Sequence, residues 1–196
     1  MPLAPAHAPD IWHYLVEPRG PFASVPGAAQ WIARALADHA AVVRVPFAII
    51  LLATGCIIGN TSYFLEIRWA NRTLEIGGTW LCPDYWRTAV NIECKYLLLR
   101  QAFETLKAEQ IEFMIDARNV RSQRAIERLG ACQEGIVRAH MLCPHGHRRD
   151  SIYYSILDTE WARVKTRLEA ALAVQARKRG QTHQDHPSGL DVRSRT

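Results

Sequence analysis

No pair of cysteines in this 196-residue chain is spaced C-x-x-C, and its five cysteines, at positions 56, 82, 94, 132 and 143, stand singly. That excludes a disulfide framework and leaves reduced thiols, expected to be mostly buried. The nearest approach to a metal site is Cys143-Pro144-His145-Gly146-His147. It falls in a hairpin turn with no fourth ligand nearby and reads as a plain loop, so no metal is expected. Long apolar runs are missing as well. The longest, Val45 to Ile58, is broken by Pro46, Thr54 and Gly55 and falls short of the roughly 20 residues that span a bilayer. Met1-Pro2-Leu3-Ala4-Pro5 lacks the basic start and continuous apolar core of a secretory leader. A cytoplasmic protein with no membrane partner is therefore expected. Internal repeats are absent, and the strand-to-helix junction at 86 to 91 contains no glycine.

What is present is the composition of a globular domain, 48% hydrophobic and 22% charged. The length suits one domain with short additions. The division expected is a variable segment over 1–21, a folded domain over 22–176 and a basic, disordered tail over 177–196. The formal charge of +5 favours acidic partners, but Arg177-Lys178-Arg179 opens a tail with little apolar content, so the excess reads as solvated charge. Nucleic acid is not an expected partner.

Asp10 to Leu15 suits a short helix, and a second starts at Ser24-Val25-Pro26 and runs to about His39. Ala28, Trp31, Ile32, Ala35 and Leu36 give the second helix its core stripe. Phe47 to Ala53, Cys56 to Leu65 and Thr73 to Leu81 read as three successive antiparallel strands, the first two joined at Thr54-Gly55. A helix over Asn91 to Leu106, a strand over Gln110 to Asp116 and a short helix ending at Gly130 follow. Strands over Gln133 to Leu142 and Ser151 to Leu157 and a helix over Glu160 to Ala176 complete the order. The fold class is α+β (mixed α/β), a mixed sheet flanked by helices.

Two junctions carry chemistry. In Trp86-Arg87-Thr88-Ala89-Val90-Asn91 a strand enters a helix, whose first turn presents unpaired N–H groups and the positive end of its dipole to an anion. Ala89 is the smallest choice after glycine, Arg87 offers a donor fork, and Asn91 an amide. A plain helix start with an exposed arginine is the alternative. The second junction follows the strand ending at Asp116, where Asn119 and Ser122 precede Leu129-Gly130. There Asn119 could simply cap a helix, with Ser122 as a surface residue.

Taken together and in order, these segments resemble the GNAT superfamily of N-acetyltransferases, and within it the ribosomal-protein (RimJ/RimL-like) branch. The resemblance rests on Leu74-Glu75-Ile76-Gly77, Thr79-Trp80-Leu81, Pro83-Asp84-Tyr85-Trp86, the loop 86 to 91, Asn119, Ser122, Leu129-Gly130, Glu134-Gly135 and Arg149 to Trp161, and covers about residues 22 to 172. It implies a mostly antiparallel sheet with a cleft between two diverging parallel strands, 74 to 81 and 110 to 116. Acetyl-CoA, as co-substrate, would lie in that cleft. Backbone groups of Trp80, Leu81 and Cys82 would pair with its pantetheine arm, and the N–H groups of Arg87, Thr88, Ala89, Val90 and Asn91 would hold its pyrophosphate. Asn119 and Ser122 would line the opposite wall. The implied reaction is direct attack of a primary amine, a protein N-terminus or a small molecule, on the thioester.

Glu75 is the first candidate for the base, directly or through water, and His140 the second, with a structural ion pair an equal alternative for Glu75. Ser122 is the candidate acid through a hydrogen bond or water relay, with Tyr153 or Tyr154 as alternatives that could equally be packed in their strand. The sequence departs from the superfamily in its glycine-free loop, in Gly78 where an aromatic is common, and at Met1 to Pro9, which has no strand pattern. A missing first strand would open a sheet edge to pairing or homodimer formation. The second reading is a non-catalytic acyl-CoA-binding module, or a ribosome- or RNA-associated protein of the same fold.

Overall fold

Trp31, Ile32, Ala35 and Leu36 do share one face of a helix. In the computed structural model, which describes residues 25–65, 71–143, 146 and 148–184 (without the side chains of 25–28 and 178–184), helix α1 spans Val25–Ala40. Ile32 and Ala35 are buried against Ala48 and Ile57, with Trp31, Leu36 and Trp80 packed around them. The expected helix at Asp10 to Leu15, the cap at Ser24, His145 and His147, and the end of the tail lie outside the described residues, as does the side chain of Ala28.

Strands β1 (Arg44–Ile50), β2 (Ile57–Phe64) and β3 (Thr73–Leu81) form the antiparallel set that their β-branched and aromatic residues call for. Helix α2 (Val90–Arg100) follows, widening into a π turn over Gln101–Thr105. Then come β4 (Gln110–Asp116), α3 (Val120–Leu129), β5 (Cys132–Leu142), β6 (Arg148–Leu157) and α4 (Asp158–Gln184). The last helix continues past Ala176, where the pattern of apolar residues fades. The strands make one six-stranded sheet in the order β1-β2-β3-β4-β6-β5, mixed because β3 and β4 alone run parallel. This is the expected architecture.

Alternation divides the sheet into two faces. On one, Leu74, Ile76, Ile111, Phe113, Ile115, Ile152, Tyr154 and Ile156 bury against Leu98, Leu99 and Phe103 of the α2 segment, Ile126 and Leu129 of α3, and Trp161, Val164 and Leu168 of α4. On the other, α1 covers β1 and β2. Glu104 ties α4 to the end of α2 by accepting from Trp161 Nε1 at 3.1 Å and Lys165 Nζ at 2.8 Å.

The cysteines are free, but they are not mostly buried: Cys82 is buried, Cys132 is exposed and the others are intermediate. Cys132 opens β5, which among the described residues is an edge strand with no neighbour on its outer side, and Ile136, Val137, Met141 and Leu142 are exposed on it as well. An apolar residue in an edge strand need not be interior. Among the described residues no helix is long and apolar enough to cross a membrane.

Candidate active site

Parallel pairing between β3 and β4 lasts for three residue pairs, Thr73 with Gln110, Leu74 with Ile111 and Glu75 with Glu112, and then the strands part. Beyond that fork β3 stays bonded to β2, but its register shifts between Asn60 and Ser62. One extra residue is accommodated there, with Gly78 at φ 57° and its carbonyl accepting from Asn60 Nδ2 at 2.7 Å. Gly78 is therefore the left-handed residue of a β-bulge, where a side chain would be strained. After the bulge, Cys82 donates to the Ile58 carbonyl at 2.8 Å and accepts from the Tyr85 N–H at 3.0 Å. Neighbouring residues of an antiparallel strand aim their backbone groups at opposite edges. Of Trp80, Leu81 and Cys82, Leu81 is thus the one that directs its backbone away from β2 and toward the opening. Its carbonyl accepts from Trp86 Nε1 at 2.8 Å, which leaves its N–H facing the cleft.

The glycine-free loop closes one side of the cleft mouth. Its strained position is Arg87, at φ 62°, whereas Ala89 is right-handed at φ −66° and buried. The absence of glycine at Ala89 therefore carries no backbone penalty, whereas Arg87, in the left-handed region, is strained. Thr88 Oγ1 donates to the Tyr85 carbonyl at 2.7 Å and accepts from the Val90 N–H at 3.3 Å, while Glu93 N–H bonds Ala89. Among the described residues the N–H groups of Asn91 and Ile92 find no protein acceptor, so the α2 terminus keeps donors for an anion.

Asn119 accepts from the Ser122 N–H at 3.1 Å and caps α3. One residue before Ser122, Arg121 places its guanidinium 3.9 Å from the centre of the Trp86 ring. That contact brings the two sequence junctions together as opposing walls.

Glu75 stands at the fork on the sheet face away from α2. A Cβ at Gly77 would meet its Oε1 at 2.8 Å, which puts the two on one face, as strand alternation requires. Burial and the neighbouring Glu112 push its pKa up to about 7 against the opposing pull of Arg149. On the same face Arg149 Nε donates to Ser151 Oγ at 3.1 Å, His140 Nδ1 lies 3.0 Å from Ser151 Oγ, and the Tyr153 hydroxyl is 3.5 Å from His140 Nε2. A β5 bulge lies between Val137 and Met141, with Ala139 at φ 51°, and His140, though exposed, sets its Nδ1 against Ser151 there. Tyr154 points the other way, buried, donating to Glu127 Oε1 at 3.1 Å. Glu75, His140 and Tyr153 thus occupy one face, while Asn119 and Ser122 belong to the mouth.

Three groups escaped the sequence reading. Arg44 is buried between the rings of Trp31 and Phe64, donates to Ser62 Oγ at 2.8 Å and borders Gly78. Arg149 and Glu112 set the charge around Glu75. Lys95, 3% exposed, contacts the hydroxyls of Thr61 and Thr79. Its place in the apolar stripe with Leu98, Leu99 and Ala102 was a signal visible in the sequence. No cluster of metal-ligating side chains occurs among the described residues.

A protein from T. thermophilus, whose crystal structure is titled that of a "putative acetyltransferase", matches at 38% identity and a TM-score of 0.77, over 87% of this chain and 91% of that one. A GCN5-related N-acetyltransferase from Brucella melitensis matches at 28% identity and a TM-score of 0.71, over 86% and 72%. The Bacillus subtilis protein named "Putative ribosomal N-acetyltransferase YdaF" is 29% identical over 111 residues, 57% of this chain and 59% of that protein's length. The family model described as acetyltransferase (GNAT) domain matches residues 2–131, which contain the fork, the loop and the Asn119 cap. By that match the chain belongs to the GNAT acetyltransferase family.

Proposed function

We propose that this chain is an acetyl-CoA-dependent N-acetyltransferase whose acceptor is a primary α-amine, attacked directly with Glu75 as the base. The observation that carries the reading is the position and acidity of Glu75, at the fork of the parallel strands with a pKa of about 7. An ammonium has no lone pair, so a base must act before attack. A carboxylate near 7 lies within about one pH unit of an α-amine, whose pKa is about 8, and more than about three below a lysine near 10.4. Taking the proton is thus far less uphill for a chain terminus than for a lysine side chain.

The residues present fit the cofactor. The free N–H groups of Asn91 and Ile92 and the Arg87 guanidinium would hold the pyrophosphate, with Arg121 on the far wall. Acetyl-CoA, when bound, supplies the activated acyl group. The Leu81 N–H would donate to the oxygen that gains charge as the carbonyl becomes tetrahedral. His140 and Tyr153 would border the acceptor, linked through Ser151 to Arg149.

The test is a thermal shift with coenzyme A followed by thiol release from acetyl-CoA with a panel of peptide N-termini, lysine analogues and small amines. Turnover confined to α-amines, lost in Glu75→Gln, supports the proposal. A coenzyme A shift without turnover on any amine would support a non-catalytic acyl-CoA-binding module, and the absence of any shift would overturn the acetyl-transfer reading.

A further inference from the structure

Lys95 is an ammonium placed where stability gives no reason for one. It projects from α2 toward the sheet with 3% of its surface exposed, and no carboxylate among the described residues lies within ion-pair distance. Burying an unpaired charge is expensive, and an apolar side chain of the same length would pack there at lower cost. Its partners are two hydroxyls, Thr79 Oγ1 in close contact and Thr61 Oγ1 at 3.4 Å, which are themselves 2.9 Å apart. Thr79, unlike Lys95, is exposed. It belongs to the part of β3 that has left β4, directly after the bulge at Gly78 and two residues before Leu81. One hydroxyl therefore connects the surface of the cleft to a buried amine.

We propose that Lys95, acting through the hydroxyl of Thr79, supplies the proton taken up by the coenzyme A sulfur when the thioester breaks. The assignment rests on the acetyl-transfer reading above. In the step, the carbon–sulfur bond breaks and its electron pair stays on sulfur. The Thr79 hydroxyl proton passes to sulfur while a Lys95 proton passes to Thr79 Oγ1, leaving a neutral amine. Solvent then returns a proton to Lys95 by way of Thr79. Thr79 is the group that touches the sulfur, and Lys95 is a positioning residue behind it.

Burial lowers the Lys95 pKa from its ordinary 10.5 to about 8. That is close to an alkyl thiol, about 8.5 for cysteine, so transfer between the two runs near level. The titratable groups facing Lys95 are the Cys94 thiol beside it on α2 and, coupled to that thiol, the Tyr63 phenol of β2. Burial raises both, so both are neutral while Lys95 titrates.

The test compares Lys95→Met, Thr79→Val and Thr79→Ser with the unaltered chain. The first readout is the number of protons released when free coenzyme A binds at pH 8, from calorimetry in two buffers of different ionisation enthalpy. The unaltered chain should release protons as the bound thiol ionises beside Lys95, and Lys95→Met and Thr79→Val should not. The second readout is kcat against pH: a fall above about pH 8 in the unaltered chain, absent from Lys95→Met, whose kcat should be lower by about 100-fold at neutral pH. KM for acetyl-CoA should change less than about threefold, because a donor acting in the transition state lowers kcat rather than binding. Thr79→Ser, which keeps the hydroxyl, should recover most of the rate. Normal coenzyme A binding with unchanged proton release and an unchanged alkaline limb in Lys95→Met would overturn the relay alone. Failure of the unaltered chain to bind coenzyme A would overturn the acetyl-transfer reading with it.

Discussion

Replacing Glu75 with glutamine should alter stability and rate in the same pH interval, because one carboxylate governs both. Its pKa in the fold is about 7, against an ordinary value near 4.5. A raised carboxylate is protonated in the fold at pH values where the unfolded chain has already ionised. Its contribution is therefore fully present below pH 4.5 and is lost as pH rises through 7. At about 1.4 kcal/mol per pH unit, the loss across that interval approaches about 3 kcal/mol. Partial solvent contact of this half-buried side chain makes that an upper figure. Glu75→Gln removes the ionisation, so the mutant's stability relative to the unaltered chain should be nearly constant below pH 4.5 and climb by about 1–3 kcal/mol toward pH 8. Urea midpoints of both proteins at pH 4.5, 5.5, 6.5 and 7.5 measure the difference. Glu104 and Asp116, whose pKa values are lowered by hydrogen bonds from Lys165 and from Arg118, act in the opposite sense in both proteins and cancel. The rate of the unaltered chain should rise through about pH 7, and the mutant should lose about 100-fold and the acidic limb with it. A stability difference independent of pH would refute the assignment of a raised pKa to Glu75, and a retained acidic limb in the mutant would refute its role as base.

Two other substitutions probe the frame around the site. Asn119→Ala removes the α3 cap and should cost about 1 kcal/mol of stability, read from the urea midpoint. Asn119→Asp, which keeps an acceptor for the Ser122 N–H, should restore most of it. Gly59→Ala would place a Cβ 2.3 Å from the Trp80 carbonyl across the β2–β3 pair. Because that atom belongs to backbone, the strands must move apart, and a loss above about 3 kcal/mol with weakened coenzyme A binding is expected by calorimetry.

Much of the frame was legible in the sequence because local chemistry and tertiary role agree there. The alternation of Ile111, Phe113 and Ile115 and the helical spacing of Ile126 and Leu129 meet the same core from a strand and from a helix. The β3 bulge was not legible. Strict alternation puts Glu75, Gly77 and Thr79 on one face, and the extra residue at Gly78 turns Thr79 over to meet Lys95 on the other. Gly78 therefore answers a backbone requirement of the bulge. The loop puzzle resolves the same way. The departures from the glycine pattern fall at Ala89 and Asn91, but Ala89 is right-handed and Asn91 lies in α2; backbone angles place the strain at Arg87, and no composition rule gives a φ angle. Among the cysteines, Cys132 is exposed because it opens β5, an edge strand, and its position at an edge is not written in its own residue type.

The three residue pairs at the fork have a mechanical meaning as well. They are the seam between two antiparallel halves, β1-β2-β3 and β4-β6-β5, each built from strands near one another in the chain. A molecule lying along the gap and bonded to both banks would act as a splint, lengthening that seam. Occupancy of the cleft would then stiffen the whole sheet and not merely the loop that grips a phosphate.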